Sequence, residues 1–270
     1  MSATGASLPD DLGRKFISGC HILHYHRVLD AYGHLSVRHP MQPDIFIMAR
    51  QIAPALVSAL EDLVQYRVSD ASPVDPSMTD GYVERYIHSE IFKKFPDVYA
   101  VIHSHAESVI PYGISGVPLQ TCFHMAGFLG TSTPVYDIST LYNAGDKQDM
   151  LVRDTRLGEA LADCFTNSKS ESRSADHVVV MMRGHGMTVI APSIEECVLR
   201  AIYTQQNASI QTTALMTRSA YRGSTPLPEV RYLNDAEAAD SAVMTHWSSG
   251  RPWKLWVREI EQAGLYINKA

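Results

Sequence analysis

The chain has 270 residues, 45% hydrophobic and 19% charged, with a net charge of −6 at pH 7. This is the composition of a soluble globular protein with a core of its own, and without a basic cluster it excludes nucleic acid or an anionic membrane surface as the main partner, since both need a concentrated positive field. No apolar run approaches the roughly 18–20 residues of a membrane span, and Met1-Ser-Ala-Thr-Gly5 lacks the basic-then-apolar order of a signal peptide, so a cytoplasmic location is expected.

Apolar residues at helical spacing (Leu12, Phe16, Ile17, Cys20, Leu23, Val28) predict an amphipathic helix over residues 10–29, with His21, His24 and His26 inside it. Residues 34–38 and 44–48 alternate like the two strands of a hairpin, 63–68 reads as a third strand, and 69–79 as a loop. Helical spacing returns over 81–94, which places Glu84 and His88 one turn apart on one face. The central strand spans 98–102, a further strand 134–138, and a helix 153–165. A strand at 177–182 and another at 187–190 flank a short turn. Ser193-Ile-Glu-Glu196 predicts a capping-box start for a helix running to about Ala220. From 223 the chain is polar and marked by prolines until a last helix begins near Arg251. With no internal repeat and no linker, one domain over 1–270 is expected, residues 223–270 being an extension that packs on it or on a neighbouring subunit. Cys20, Cys122, Cys164 and Cys197 have no Cys-x-x-Cys spacing and read as reduced structural thiols.

The chemistry gathers at the end of the central strand, in His103-Ser104-His105. Strand side chains alternate faces, so the two imidazoles point the same way with Cα atoms roughly 6.5–7 Å apart, and they can bind one divalent metal. The plainer reading is a pair of half-exposed histidines at a strand end. Gly184-His185-Gly186 gives a third histidine the backbone freedom to project out of a sheet. On its own it reads as a turn histidine; with the other two it supplies a third neutral nitrogen and leaves coordination positions open for water or substrate.

Glu84-Arg-Tyr-Ile-His88, Pro96-Asp97, His103-Ser-His105 and Gly184-His-Gly186, in that order, resemble the class II aldolase and adducin family over about residues 10–215. That resemblance implies a three-layer α/β/α sandwich around a mostly antiparallel sheet and a homotetramer with sites at subunit contacts. It also implies a metal on His103, His105 and His185, with Glu84 as acid or base. Glu90 falls elsewhere in the motif and reads as a solvent-facing helix residue. Sugar-phosphate members place small hydroxyl residues before the glutamate and a Thr/Ser-Pro-x-Gly turn after the second strand. Here those places hold Tyr82-Val83 and Met48-Ala-Arg-Gln51, which cannot cradle a phosphate.

Arg50, Arg85, Tyr82 and His124 are cations and aromatics suited to a flat ring with carboxylates, with Trp253 and Trp256 as further candidates for a ring platform. The run 82–91 and the segment from Ile110-Pro-Tyr-Gly113 through His124-Met-Ala-Gly127 resemble the branch of the family that decarboxylates hydroxylated aromatic dicarboxylates such as 3-hydroxy-2-methylpyridine-4,5-dicarboxylate. The expected partner is thus a small aromatic dicarboxylate, losing the carboxylate next to its hydroxyl without an organic cofactor. Manganese is favoured by the decarboxylase resemblance and zinc by the aldolase resemblance. Each substrate candidate has a duller reading: Arg85 as a surface ion pair, Arg50 as a loop residue, His124 as a core histidine, the tryptophans as core. His88 could orient Glu84 or pack under the sheet, and His34 and His39 lie near a strand. The rival functions are a metal-dependent aldolase acting on a hydroxy acid or sugar phosphate, and a non-catalytic module like the head domain of adducin.

Overall fold

In the structure, a computed structural model that describes residues 9–79, 81–167 and 173–270, the chain opens with α1 (Asp10–Tyr25) and continues through β1 (His34–His39), β2 (Gln42–Ala49) and β3 (Leu63–Arg67). Next come α2 (Arg85–Lys94), β4 (Ala100–Ser104), the short α3 (Ile110–Ile114), β5 (Val135–Tyr136) and α4 (Thr155–Asp163). The strands β6 (Val179–Met182) and β7 (Gly186–Ala191) precede the long α5 (Ile194–Ala220), then α6 (Asp235–Ser248) and α7 (Gly250–Gln262). The seven strands form one sheet in the order β3-β2-β1-β4-β7-β6-β5, antiparallel except for the outer β5–β6 pair. No described helix is long and apolar enough to cross a membrane.

Alternation along β1 shows how the two faces are covered. Leu35 lies beneath Gly19 of α1, beside Ile194 and Val198 of α5, whereas Ser36 bonds His88 of α2 on the opposite face. The result is an α/β fold with helices on both sides of a mostly antiparallel sheet, as expected. β4 lies at its centre, and all five of its residues are buried because both faces are covered. On the α2 side, α4 packs so tightly that a Cβ at Gly158 would stand 2.5 Å from the Tyr86 carbonyl.

Several boundaries differ from those expected. The first helix ends at Tyr25, because Arg27 adopts a left-handed φ of 58° and the Val28 and Leu29 amides both turn back to the Leu23 carbonyl. The second helix begins at Arg85, leaving Tyr82 and Val83 in the approach and Glu84 at the cap. Among the strands, β5 is two residues long, since Asp137 caps a 3-10 turn over Ile138–Thr140 instead of extending it. Ser193 does cap α5 by accepting from the Glu196 amide, but the Glu196 carboxylate bonds Arg200 and His246, so the box is half made.

The polar stretch after 223 contains α6, a helix not anticipated. Its start was written in Asn234-Asp-Ala-Glu237, a reciprocal capping box. Its packing rests on small residues rather than an apolar stripe: a Cβ at Gly127 would lie 2.5 Å from the Ala238 carbonyl. The last helix, α7, buries Trp253, Trp256 and Ile260 against the side of the molecule formed by α1 and α5. Trp256 meets Tyr203 and His26 with ring centroids 6.2 and 5.3 Å away, which makes the tryptophans core residues rather than a ring platform.

Candidate functional site

Four residues from three distant stretches meet at one end of the sheet. His103 ends the inner part of β4, His105 follows that strand by one residue, His185 sits in the β6–β7 turn, and Glu84 caps α2. One ligand atom from each lies within 4.8 Å of every other. The two glycines of the turn make this approach possible in different ways. Gly184 takes a left-handed φ of 65°, and Gly186 runs so close to β4 that a Cβ would stand 1.9 Å from the Ser104 carbonyl. A side chain at either position would push the turn, and His185 with it, away from His103.

The Nε2 atoms of His103 and His105 stand 3.1 Å apart, and Glu84 Oε2 lies 3.6 Å from His103 Nε2 and 3.7 Å from His185 Nε2. Donors held about 2.0–2.1 Å from one ion sit roughly 3.0–3.4 Å from one another, so the histidine spacing fits a shared divalent metal, with Glu84 just outside or as a fourth donor. The protonation states fit as well. Burial, then the neighbouring His105, brings His185 down to about 4, although a hydrogen bond to the Met150 backbone opposes this. Burial first, then the surrounding imidazoles, also holds His103 well below its ordinary value. Neutral imidazoles are what a metal requires. Glu84 goes the other way: burial pushes it up to about 7 against the Val152 N–H, which donates to its Oε1 at 3.0 Å.

Asp30, which the sequence reading passed over, belongs to this site. Its Oδ2 takes His105 Nδ1 at 3.1 Å, while Oδ1 accepts the Tyr32 and Gly33 amides. The bond leaves His105 Nε2 bare and facing the cluster, the arrangement by which an outer carboxylate orients a metal-binding histidine. Burial alone would raise the Asp30 pKa, but those two amides and His105 together hold it below its ordinary value. An Asp-x-Tyr-Gly turn after a helix was the available signal. Asp30 and His105 also stand in the wall of a groove of about 700 Å³, whose rim carries Arg27 and Tyr266.

The other candidates divide. Tyr82 is buried, donates its hydroxyl to the Ile52 carbonyl at 2.6 Å, and sets its ring 4.7 Å from His34. Extending the β1–β2 register two residues past the Ser36–Met48 pair puts Arg50 across from His34, and its Nε is buried with no hydrogen-bond partner among the described residues. Arg85 is committed elsewhere: it donates to the Ala71 and Tyr82 carbonyls and lies over the Tyr86 ring, so it ties down a loop rather than pairing with an acid. His124 is exposed on a 3-10 segment against α6, neither core nor part of the cluster. Glu90 is buried beside Lys93 and Ser89, not solvent-facing. His88 does not touch Glu84, since Ser36 and His34 take its two nitrogens. His39 receives the Met41 and Gln42 amides and shapes a turn.

Residues 14–212 match the model of the class II aldolase and adducin N-terminal domain. The decarboxylase tropJ of Talaromyces stipitatus is 52% identical over 95% of this chain and 97% of its own. A 3,4-dihydroxyphthalate decarboxylase of Rhodococcus jostii is 24% identical over 82% of this chain and 84% of its own. Among solved structures, an L-fuculose 1-phosphate aldolase from Glaciozyma antarctica superposes with a TM-score of 0.68, covering 99% of this chain and 97% of that one at 17% identity, which speaks for the fold.

Proposed function

We propose, for a chain that belongs to the class II aldolase and adducin family and is a lyase, the metal-dependent decarboxylation of an aromatic carboxylate bearing an ortho hydroxyl. 3,4-Dihydroxyphthalate and 3-hydroxy-2-methylpyridine-4,5-dicarboxylate are the model substrates. The observation that carries this reading is the convergence of His103, His105 and His185 beside a buried glutamate.

In this reading His103, His105 and His185 hold the ion, and Asp30 keeps the ring of His105 turned toward it. When bound, a divalent metal supplies a Lewis acid that draws charge from the substrate's hydroxyl and neighbouring carboxylate. Glu84 supplies the proton. Burial raises its pKa in the metal-free protein, the direction a proton donor needs, and the Val152 amide fixes Oε1 so that Oε2 faces the histidines. The bond from ring carbon to carboxylate breaks, carbon dioxide leaves, the electron pair stays on the ring carbon, and the Glu84 proton ends there. Water then restores the acid. Arg50, with a buried Nε that nothing else occupies, holds the second carboxylate, so that only the group next to the hydroxyl is lost. Burial of Tyr82 walls the same side. The 52% identity to a decarboxylase over nearly the whole chain favours this chemistry over aldol cleavage.

The experiment is turnover with each model substrate by protein loaded with manganese or zinc, assayed for carbon dioxide. Release from one of them, abolished by chelation, is expected. Absence of release, together with formation of pyruvate or dihydroxyacetone phosphate from aldol substrates, would turn the assignment to an aldolase.

A further inference from the structure

A second set of polar side chains lies directly behind the cluster and has no part in the chemistry above. Ser36 of β1, His88 of α2 and His34 of β1 form a buried chain: Ser36 Oγ is 2.5 Å from His88 Nδ1, and His88 Nε2 is 2.7 Å from His34 Nδ1. His34 pairs with His103 across the β1–β4 ladder, with ring centroids 5.1 Å apart, yet it is outside the four-residue group that can share an ion. Three polar side chains are costly to bury unless each bond is made and each has a use.

The direction of the hydrogen bonds follows from which atoms can donate. Ser36 and His88 are fully buried, and Ser36 Oγ has His88 as its one hydrogen-bond partner among the described residues. If His88 Nδ1 carried the proton, the buried Ser36 hydroxyl hydrogen would have no acceptor among the described residues, a loss of about 1–3 kcal/mol. The hydroxyl therefore donates to His88 Nδ1, His88 Nε2–H donates to His34 Nδ1, and His34 is left with its proton on Nε2. With Nδ1 of each ring accepting a hydrogen bond, each imidazole carries a single ring proton and is neutral. Because the chain ends at a buried serine, it does not connect the site to bulk water and cannot work as a proton shuttle. What it can do is hold one tautomer.

We propose that His34 is a specificity-determining residue that presents a neutral Nε2–H donor to an anionic oxygen of the substrate, and that His88 and Ser36 are positioning residues that lock it in that tautomer. The proposal rests on the decarboxylase reading for the nature of the substrate, while the tautomer assignment stands without it. It also gives a purpose to Tyr82, whose ring packs 4.7 Å from His34 and restricts the motion of the imidazole. A neutral donor beside a metal suits a bound carboxylate or phenolate oxygen, and it discriminates against a substrate that would have to offer a donor at that point.

Two measurements test this. Nitrogen-15 NMR of histidine-labelled, metal-free protein, assigned by comparison with His34→Gln and His88→Gln, is expected to show His34 and His88 each protonated at Nε2 and bare at Nδ1. A His34 proton on Nδ1 overturns the proposal. Calorimetric binding of salicylate to zinc-loaded protein is expected to weaken about 10–100-fold in His34→Leu, the range for one hydrogen bond to a charged group, with zinc content unchanged and partial recovery in His34→Gln. Ser36→Ala, the mildest change, is expected to weaken salicylate a few-fold and to mix the His34 tautomers. Zinc lost from His34→Leu, or salicylate bound as tightly as by wild type, overturns the donor role. Absent turnover of aromatic dicarboxylates, with tautomer and salicylate affinity as expected, counts against decarboxylation and leaves His34 as assigned.

Discussion

Two groups of histidines in this protein are equally conspicuous in the sequence and differ completely in space. On α1 and just after it, His21, His24 and His26 fall within six residues, yet each is engaged separately. His21 Nε2 meets the Val57 carbonyl at 2.7 Å, His24 Nδ1 meets the Tyr266 hydroxyl at 2.9 Å, and His26 Nε2 faces Glu259 at 3.3 Å. At the end of the sheet, His103, His105 and His185 are spread over a stretch of 83 residues and turn their free nitrogens toward one another. Density along the chain is therefore a poor guide to a metal site. What matters is whether imidazole lone pairs are left uncommitted and convergent, because an ion can be held only by donors not already spent on the protein.

The contrast breaks most visibly at His185. His185→Ala should abolish stoichiometric metal binding and with it turnover, by a factor above about a thousand, whereas His24→Ala should leave both near wild type; metal analysis beside kinetics checks the pair. Glu84→Gln should keep the metal and lose roughly 10²–10⁴-fold in kcat, the range for removing a general acid. An active glutamine variant removes Glu84 from the chemistry. The same variant has a signature in metal-free protein. The folded-state pKa of Glu84, about 7, lies above its unfolded value of 4.5, so the folded state binds the extra proton. Stability should fall as pH rises from 4.5 to 7, by on the order of 1–3 kcal/mol, and that slope should flatten in Glu84→Gln.

Smaller effects sharpen the same comparison. Asp30→Asn should loosen metal about 10–100-fold through the freed ring of His105, with the fold intact, as read by competition with a chelator. His21→Leu is expected to cost about 1 kcal/mol in denaturant unfolding and nothing in metal affinity, since its one hydrogen bond serves the Val57 carbonyl. A measurable metal defect in His21→Leu would erase the distinction between the two groups.

Local signals announced much of this molecule. The β1–β2 hairpin, the apolar run before His103, and the Ser193 cap of the long helix depend on neighbours a few residues apart, and periodicity and capping report such neighbours directly. The family resemblance carried by the motif order singled out the three histidines and Glu84, and the fold brings one ligand atom of each within 4.8 Å of every other. Misreadings occurred where a contact of the folded chain, not periodicity, decided a side chain's partner. Arg85 looked like a cation for substrate until the Ala71 and Tyr82 carbonyls claimed it, and Glu90 looked exposed until α4 closed over it. The helix α6 was overlooked because its contact with residues 124–129 is a close backbone approach and not an apolar stripe.

By itself, then, the order of amino acids determined the seven strands, the helices before residue 223, and which histidines and which glutamate to watch. Only the folded molecule decided that Asp30 holds His105, that Ser36 and His88 stand behind His34, and that Arg50 keeps a buried nitrogen without a partner. The physical reason is that a hydrogen bond spanning tens of residues leaves no periodic trace. It exists because a sheet register brings two distant side chains to the same face, and register belongs to the assembled sheet rather than to any one strand.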